Sequence, residues 1–235
     1  MHNVDIVILS WAKTVALKQT TEKGIETLLK SEKVENVIFN VFLLESNPQA
    51  KYDFPENVKV VYMTEKFGYH KFMNIGRKMG DSKYVAICNN DLRFQRNWAS
   101  NIIREMEADN DLLSACPVEP IVNMIQKHFT NEKYGYETRK FVNGWCIFQR
   151  RDVYDIIGDL DEQFEFWCCD DEYGMVLEKN NVKHAIIKTS IVNHDENGGK
   201  SLQSLTPDVA SQYTSGGLEI FRKKYGHGPK YMMNG

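Results

Sequence analysis

Nowhere does the chain approach the roughly 18 consecutive apolar residues that a membrane-spanning helix needs, so no membrane span is expected. The opening MHNVDIVILSW lacks the basic region and small-residue cleavage site of a secretory signal, and no Asn-x-Ser/Thr sequon occurs. The five cysteines (Cys88, Cys116, Cys146, Cys168, Cys169) are odd in number and contain no Cys-x-x-Cys pair. That argues against a disulfide framework or a structural zinc site and for reduced thiols. Charge of one sign is also missing: 29 Lys and Arg against 32 Asp and Glu leave a net charge of −3, with no overall pull toward nucleic acid. No Gly-x-Gly-x-x-Gly follows a strand-like run, which disfavours a dinucleotide oxidoreductase. These absences lead to the expectation of a cytoplasmic protein.

What is present is an alternation of short apolar runs with helix-length amphipathic segments. Residues 4–9, 37–44, 58–63, 84–88 and 112–117 read as strands, and 14–31, 71–79 and 98–109 as helices. This spacing predicts an α/β fold with a doubly wound, mostly parallel sheet. Ligands of such sheets sit beyond the carboxyl ends of the strands. Ser10-Trp11, Glu45-Ser46 and Asn89-Asn90-Asp91 all fall at those ends and are expected to share one cleft. The second half is less regular. Residues 118–140 read as a polar, aromatic functional loop, 141–148 as a strand, 151–157 as a short helix, 172–180 as a helix and 185–192 as a strand ending near His194. The stretch after His194 reads as a glycine-containing loop and a tail. With no repeat or linker, the whole of 1–235 is expected to be one domain, with residues 1–115 as a nucleotide-binding half and 116–235 as an acceptor-binding half with a C-terminal lid.

Three constellations could carry chemistry. Asn89-Asn90-Asp91 follows a buried strand, where a carboxylate can hold a hard divalent cation, although such a sequence is also an ordinary turn. His194 lies at a strand end before a flexible loop and could complete a metal shell or be a surface histidine. Asp170-Asp171-Glu172 opens a helix beside Phe164, Phe166 and Trp167. These acids could serve the helix dipole, or one could act as general base next to a sugar-stacking aromatic pocket.

The order of these blocks resembles the family 2 glycosyltransferases of the GT-A fold. Leu9-Ser10-Trp11-Ala12 and Glu45-Ser46-Asn47 are similar to that family's nucleotide-contacting segments, and Gly68, Asn74 and Gly76 to its Gly…Asn-x-Gly helix. Asn89-Asn90-Asp91 falls at the family's Asp-x-Asp motif, with Asn143-Gly144-Trp145, residues 157–164 and Cys169-Asp170-Asp171-Glu172 following in the family's order. His194 to Ser201 resembles a His…Gly-Gly-x-Ser loop and Phe221 to Gly226 a closing basic segment. The resemblance runs over residues 4–226.

It implies an inverting, metal-dependent enzyme that moves a sugar from a nucleotide-sugar, most simply a UDP-sugar, to an acceptor hydroxyl. Asp91 and His194 would hold Mn²⁺ or Mg²⁺. Ser10, Trp11, Glu45, Asn74, Asn89, Asn90, Lys200, Arg222 and Lys223 would contact the donor, and Gly144, Trp145 and Trp167 the acceptor. Asp170, Asp171 and Glu172 form the catalytic group, with Asp170 or Asp171 as base. The acceptor would be a glycan or hydroxylated-base DNA. The sequence departs from the pattern at Asn89 and Cys169, where acids are usual, and at Val176, where an arginine is usual. A catalytically silent nucleotide- or sugar-binding module is therefore one alternative. A nucleotidyltransferase is another, although Ser10-Trp11-Ala12-Lys13-Thr14 lacks the glycine that its phosphate loop wants.

Overall fold

A computed structural model describes residues 1–119, 132–194 and 206–233. Strands β1 (His2–Ser10), β2 (Val37–Glu45), β3 (Val58–Tyr62) and β4 (Tyr84–Asn89) are mutually parallel, in the order β3-β2-β1-β4. The near-continuous burial of β1, β2 and β4, complete from Val4 to Ser10 in β1, is what a sheet covered on both faces demands, while the edge strand β3 buries only Val58. One apolar cluster gathers Ile6, Ile8, Ile25, Leu28, Trp98 and Phe148, and the other gathers Val7, Phe72, Met73, Ile147, Tyr173 and Leu177.

Helix α1 (Val15–Lys30) starts at Thr14, whose hydroxyl accepts from the Leu17 N–H at 3.2 Å. It buries Leu17, Thr21, Ile25 and Leu28, a stripe at three- and four-residue spacing. Gly24 sits on that stripe. A Cβ there would lie 2.9 Å from the Asn90 carbonyl oxygen, so the glycine lets α1 press directly on the turn after β4. Helix α2 is Tyr69–Gly76 and α3 is Trp98–Ala108.

The second half departs from simple parallel winding. Strand β7 (Cys146–Arg150) inserts between β4 and β6 (Leu112–Val118) and runs antiparallel to both. It starts later than the sequence pattern predicts. The Asn143 side chain donates to Pro117 O at 2.9 Å, and its carbonyl accepts from the Cys146 N–H at 3.0 Å, so residues 143–145 turn instead of extending. Strand β8 (Lys183–His194) runs longer than predicted because its end pairs antiparallel with β5 (Leu92–Phe94), too short a strand to show in a periodicity reading. After α4 (Val153–Ile157), helix α5 (Cys169–Lys179) starts three residues earlier than predicted, which puts Asp170, Asp171 and Glu172 in its first turn.

The tail is a correction: Pro207–Tyr225 is a full helix, α6, closed by Gly226 in the left-handed region (φ 77°), whose N–H donates to Arg222 O at 2.8 Å. Its Phe221 is buried against Phe164, Cys168 and Cys169, so α6 packs on the start of α5. A short α7 (Lys230–Met233) follows. Among the described residues, no helix is long and apolar enough to cross a membrane. All five cysteines are buried free thiols.

Two glycine substitutions should have opposite signs. A Cβ on Gly76 would overlap the buried Val7 side chain, so Gly76→Ala should cost about 1–3 kcal/mol of stability. Gly216, inside α6, has open space around it, and Gly216→Ala should add about 0.5–1 kcal/mol. Urea unfolding of both variants measures the contrast.

Candidate active site

A cleft of about 350 Å³ opens where β1 and β4 end and α5 begins. Its walls include Trp11, Asn89, Asn90, Asp91, Gly144, Trp145, Trp167, Asp170, Asp171 and His194. Pieces separated by about 180 residues thus meet in one cavity, of the size and mixed aromatic-polar lining that small-molecule sites have.

Asp91 follows β4 and His194 ends β8. The pairing of Leu92 with His194 places them side by side, with His194 Nε2 3.1 Å from Asp91 Oδ1. Both side chains are largely buried but open to the cleft. Trp145 stacks on the His194 ring at 5.8 Å and 29°, and the Trp145 carbonyl accepts from the Asn89 N–H at 2.9 Å. One loop therefore braces both halves of the pair. Two adjacent ligands of an octahedral Mg²⁺- or Mn²⁺-sized ion, at about 2.1 Å each, stand about 3 Å apart. The separation of the two atoms meets that test, and a carboxylate with an imidazole is a donor set such ions accept. Among the described residues, no group of three or more His, Cys, Asp or Glu side chains is arranged to hold a metal.

At the other wall, Asp170 and Asp171 occupy the first turn of α5. The Asp170 Oδ1 accepts from the Asp171 N–H at 3.1 Å. Burial pushes the Asp170 carboxyl up, opposed by those backbone N–H groups and by the Arg139 charge. Burial, then the neighbouring Asp170 charge, pushes Asp171 up to about 7, while Thr138 and Arg139 pull it down. Asp170 is the more open of the two to the cleft. A Cβ on Gly144 would lie 2.7 Å from the Asp170 Cβ, so only glycine lets this wall close up to the acid.

Other predicted residues sit elsewhere. Glu45 is fully buried and does not line the cleft. Its Oε1 accepts from the N–H groups of Ala12 (3.0 Å) and Asn47 (2.8 Å), and its Oε2 from Ser10 Oγ (2.7 Å) and Tyr52 Oη (2.6 Å). With its oxygens so engaged, Glu45 ties the turns after β1 and β2 together, and Ser10 is buried with it. Asn74 is likewise turned inward, gripping Leu160 in both directions at 2.9 Å. Glu172 is buried behind the cleft, where Lys224 Nζ donates to it at 2.9 Å. Arg222 and Lys223 are exposed on α6 and do not line the cavity, while Lys200 lies outside the described residues. Asn90 lines the cleft while donating to Thr21 Oγ1 at 2.8 Å.

Thr138 and Arg139 line the cleft from the loop that the sequence marks as functional, whereas sequence reading missed Phe67, Tyr69 and Tyr213. Tyr69 donates to the Gly144 carbonyl. Nothing local marks these side chains, apart from the aromatic run Phe67-Gly68-Tyr69 beside the recognised glycine.

The architecture is that of the GT-A fold. Residues 46–158 match the family model described as glycosyl transferase family 2. Similar solved structures include the mannosyltransferase PcManGT from Pyrobaculum calidifontis in complex with GDP-Man and Mn²⁺, with a TM-score of 0.65 and 10% identity over 96% of this chain and 65% of that one. GalNAc-T7 with UDP, GalNAc and Mn²⁺ gives 0.62 and 11% identity over 96% of this chain and 50% of that one. The catalytic domain of Drosophila β1,4-galactosyltransferase 7 with xylobiose gives 0.53 and 15% identity over 84% of this chain and 72% of that one. The chain thus spans less than two thirds of the length of the first two. A comparison with curated protein sequences finds no match. The chain thus has the GT-A fold, and its residues 46–158 resemble the family 2 glycosyltransferases.

The raised Asp171 carboxyl has a stability consequence. A carboxyl with a folded pKa near 7 takes up a proton on folding, so its ionisation weakens the fold increasingly as pH rises from its unfolded value to about 7. Asp171→Asn should therefore raise the melting temperature at about pH 8, and the gain should fade toward about pH 4. Thermal unfolding across that range tests the sign.

Proposed function

We propose that the chain transfers a sugar from a nucleoside-diphosphate sugar, with UDP as the nucleotide, to a carbohydrate hydroxyl, inverting the anomeric carbon. One observation carries this reading: the Asp91–His194 pair and the Asp170–Asp171 pair line the same cleft. A diphosphate leaving group needs charge neutralisation, and an acceptor hydroxyl needs a base, so a transferase needs both kinds of group within one cavity.

Asp91 and His194 would hold a divalent cation, whose positive charge would stabilise the departing nucleoside diphosphate. Manganese is supported by three similar structures, which hold it beside GDP-Man, beside UDP and GalNAc, or, in a further complex of the Drosophila galactosyltransferase 7, beside UDP-Gal and xylobiose. Asp170, held against Gly144 and open to the cleft, would accept the acceptor hydroxyl proton. The acceptor oxygen then bonds to the anomeric carbon as the bond to the phosphate oxygen breaks and its electron pair leaves with the diphosphate. A single displacement from the opposite face inverts configuration. Trp145 and Trp167 offer apolar faces against which a sugar ring can pack. A carbohydrate acceptor is supported by the xylobiose in two neighbours, whereas nothing favours modified DNA.

Asp170→Asn should lower turnover by about 10²–10⁴-fold, the usual worth of a general base, while donor affinity measured by calorimetry with Mn²⁺ holds. A dead Asp171→Asn beside an active Asp170→Asn would move the base by one residue. Asp91→Ala should remove metal-dependent donor binding without unfolding the protein, and chelation should silence the wild type until Mn²⁺ is restored. Donor affinity unchanged in Asp91→Ala would sink the metal assignment. If neither sugar transfer nor metal-dependent donor hydrolysis is measurable, the chain is a binding module.

A further inference from the structure

His70, near the start of α2, is completely buried. Both of its ring nitrogens face backbone carbonyl oxygens: Nδ1 is 3.0 Å from Asp161 O, and Nε2 is 2.9 Å from Cys169 O. A carbonyl oxygen can only accept, so each contact needs an N–H. A neutral imidazole has one N–H and one bare lone pair, which would be aimed at a carbonyl in a site closed to water. The imidazolium has two N–H groups and satisfies both carbonyls.

The surrounding charges support the same state. Glu172 Oε2 is buried 3.7 Å from His70 Nδ1 and makes no hydrogen bond within the protein. Glu172 Oε1 accepts from Lys224 Nζ at 2.9 Å and from the Tyr225 hydroxyl at 3.4 Å, while Lys224 also donates to Asp161 Oδ2 at 2.7 Å. Two carboxylates thus share one ammonium, and a charged His70 supplies the second positive charge. From α5, Asp170 adds a further negative field, and the Cys169 thiol is held neutral, pushed far up by burial. The Tyr69 hydroxyl is also held neutral by burial, and the Phe164 ring lies 5.7 Å away. Burial pulls the His70 pKa below its ordinary value, against a smaller upward push from Glu172 and the two carbonyls, so burial and charge taken together oppose the imidazolium and the hydrogen-bond geometry favours it. The requirement for two donors outweighs the cost of burial, because either neutral tautomer would leave one carbonyl facing a lone pair.

We propose that His70 is a buried imidazolium acting as a positioning residue: its two N–H groups tie Asp161 to Cys169, the residue before Asp170, and so set where Asp170 presents its carboxylate. The positioning role rests on Asp170 being the base proposed above. Because the charged form is the one that fits, its contribution to stability is complete below the ordinary histidine pKa of about 6.5 and is lost as pH rises through the folded-state pKa. Activity should decline on that same alkaline limb.

Imidazole ¹⁵N–¹H spectra of the full chain test the protonation state without reference to activity. The His70 signals are assigned among the six histidines by their loss in His70→Gln. Protons on both ring nitrogens at about pH 7 are expected, and a single N–H with one lone-pair nitrogen overturns the proposal. Glu172→Gln, which keeps the shape but removes the counter-ion, should lower the His70 transition by about one pH unit or more, and an unchanged transition also overturns it. His70→Gln should lower kcat by about 10–100-fold, as outer-shell partners do, with donor affinity held and the alkaline limb gone. An unchanged kcat overturns the positioning role. A doubly protonated His70 beside a fully active Asp170→Asn would uphold the imidazolium and remove the base reading, so the two failures separate. If His70→Gln does not fold, the wild-type spectrum and the Glu172→Gln titration decide.

Discussion

Three residue pairs between β5 and β8 hold the cleft in its working shape. Leu92, Arg93 and Phe94 pair with His194, Asn193 and Val192, and that short ladder sets Asp91 beside His194. Two flexible side chains from distant parts of the chain would otherwise find each other only at an entropic cost. Here the backbone ladder fixes their separation, Trp145 stacks on one member, and Gly24 lets α1 support the turn that carries the other. A ladder of three pairs is weak alone, so the support from α1 and from the Asn143–Cys146 turn is part of the same device.

The opposite wall faces a different problem, since Asp170, Asp171 and Glu172 crowd acids into one helical turn. The helix N-terminus favours them, because its N–H groups point toward negative charge. Burial opposes them, and the three acids resolve the conflict separately. Asp170 lines the cleft with its carboxyl pushed up by burial, Asp171 is pushed up to about 7, and Glu172 turns away to Lys224 and His70. An acid run that looks uniform in sequence thus becomes three groups with different work, separated by which side of α5 each faces.

The resemblance in the sequence led to the right fold, and of the strand-end clusters expected to share one cleft, Trp11 and Asn89–Asp91 do so, joined by His194, while Ser10, Glu45 and Ser46 do not line it. Other residues matched the family pattern yet serve the scaffold. Glu45 and Asn74 carry polar groups that could meet a donor, but each is consumed by neighbouring backbone groups once the turns close. Lys224 illustrates the reverse. In the run Arg222-Lys223-Lys224 nothing distinguishes the third cation, yet helical phase points it at Glu172 and Asp161 while its neighbours face solvent.

The sequence by itself determined the buried strands, the principal helices and the block order, because these follow from apolar periodicity and local turn chemistry. Tertiary structure alone decided the insertion of β7 between β4 and β6, the pairing of β5 with β8, and the side of α5 from which each acid works. Those outcomes depend on contacts between residues far apart in the sequence, such as Leu92 with His194 and Lys224 with Glu172. Such contacts leave no local pattern: the energy that selects them comes from burying surfaces and pairing charges that meet only when the sheet is complete.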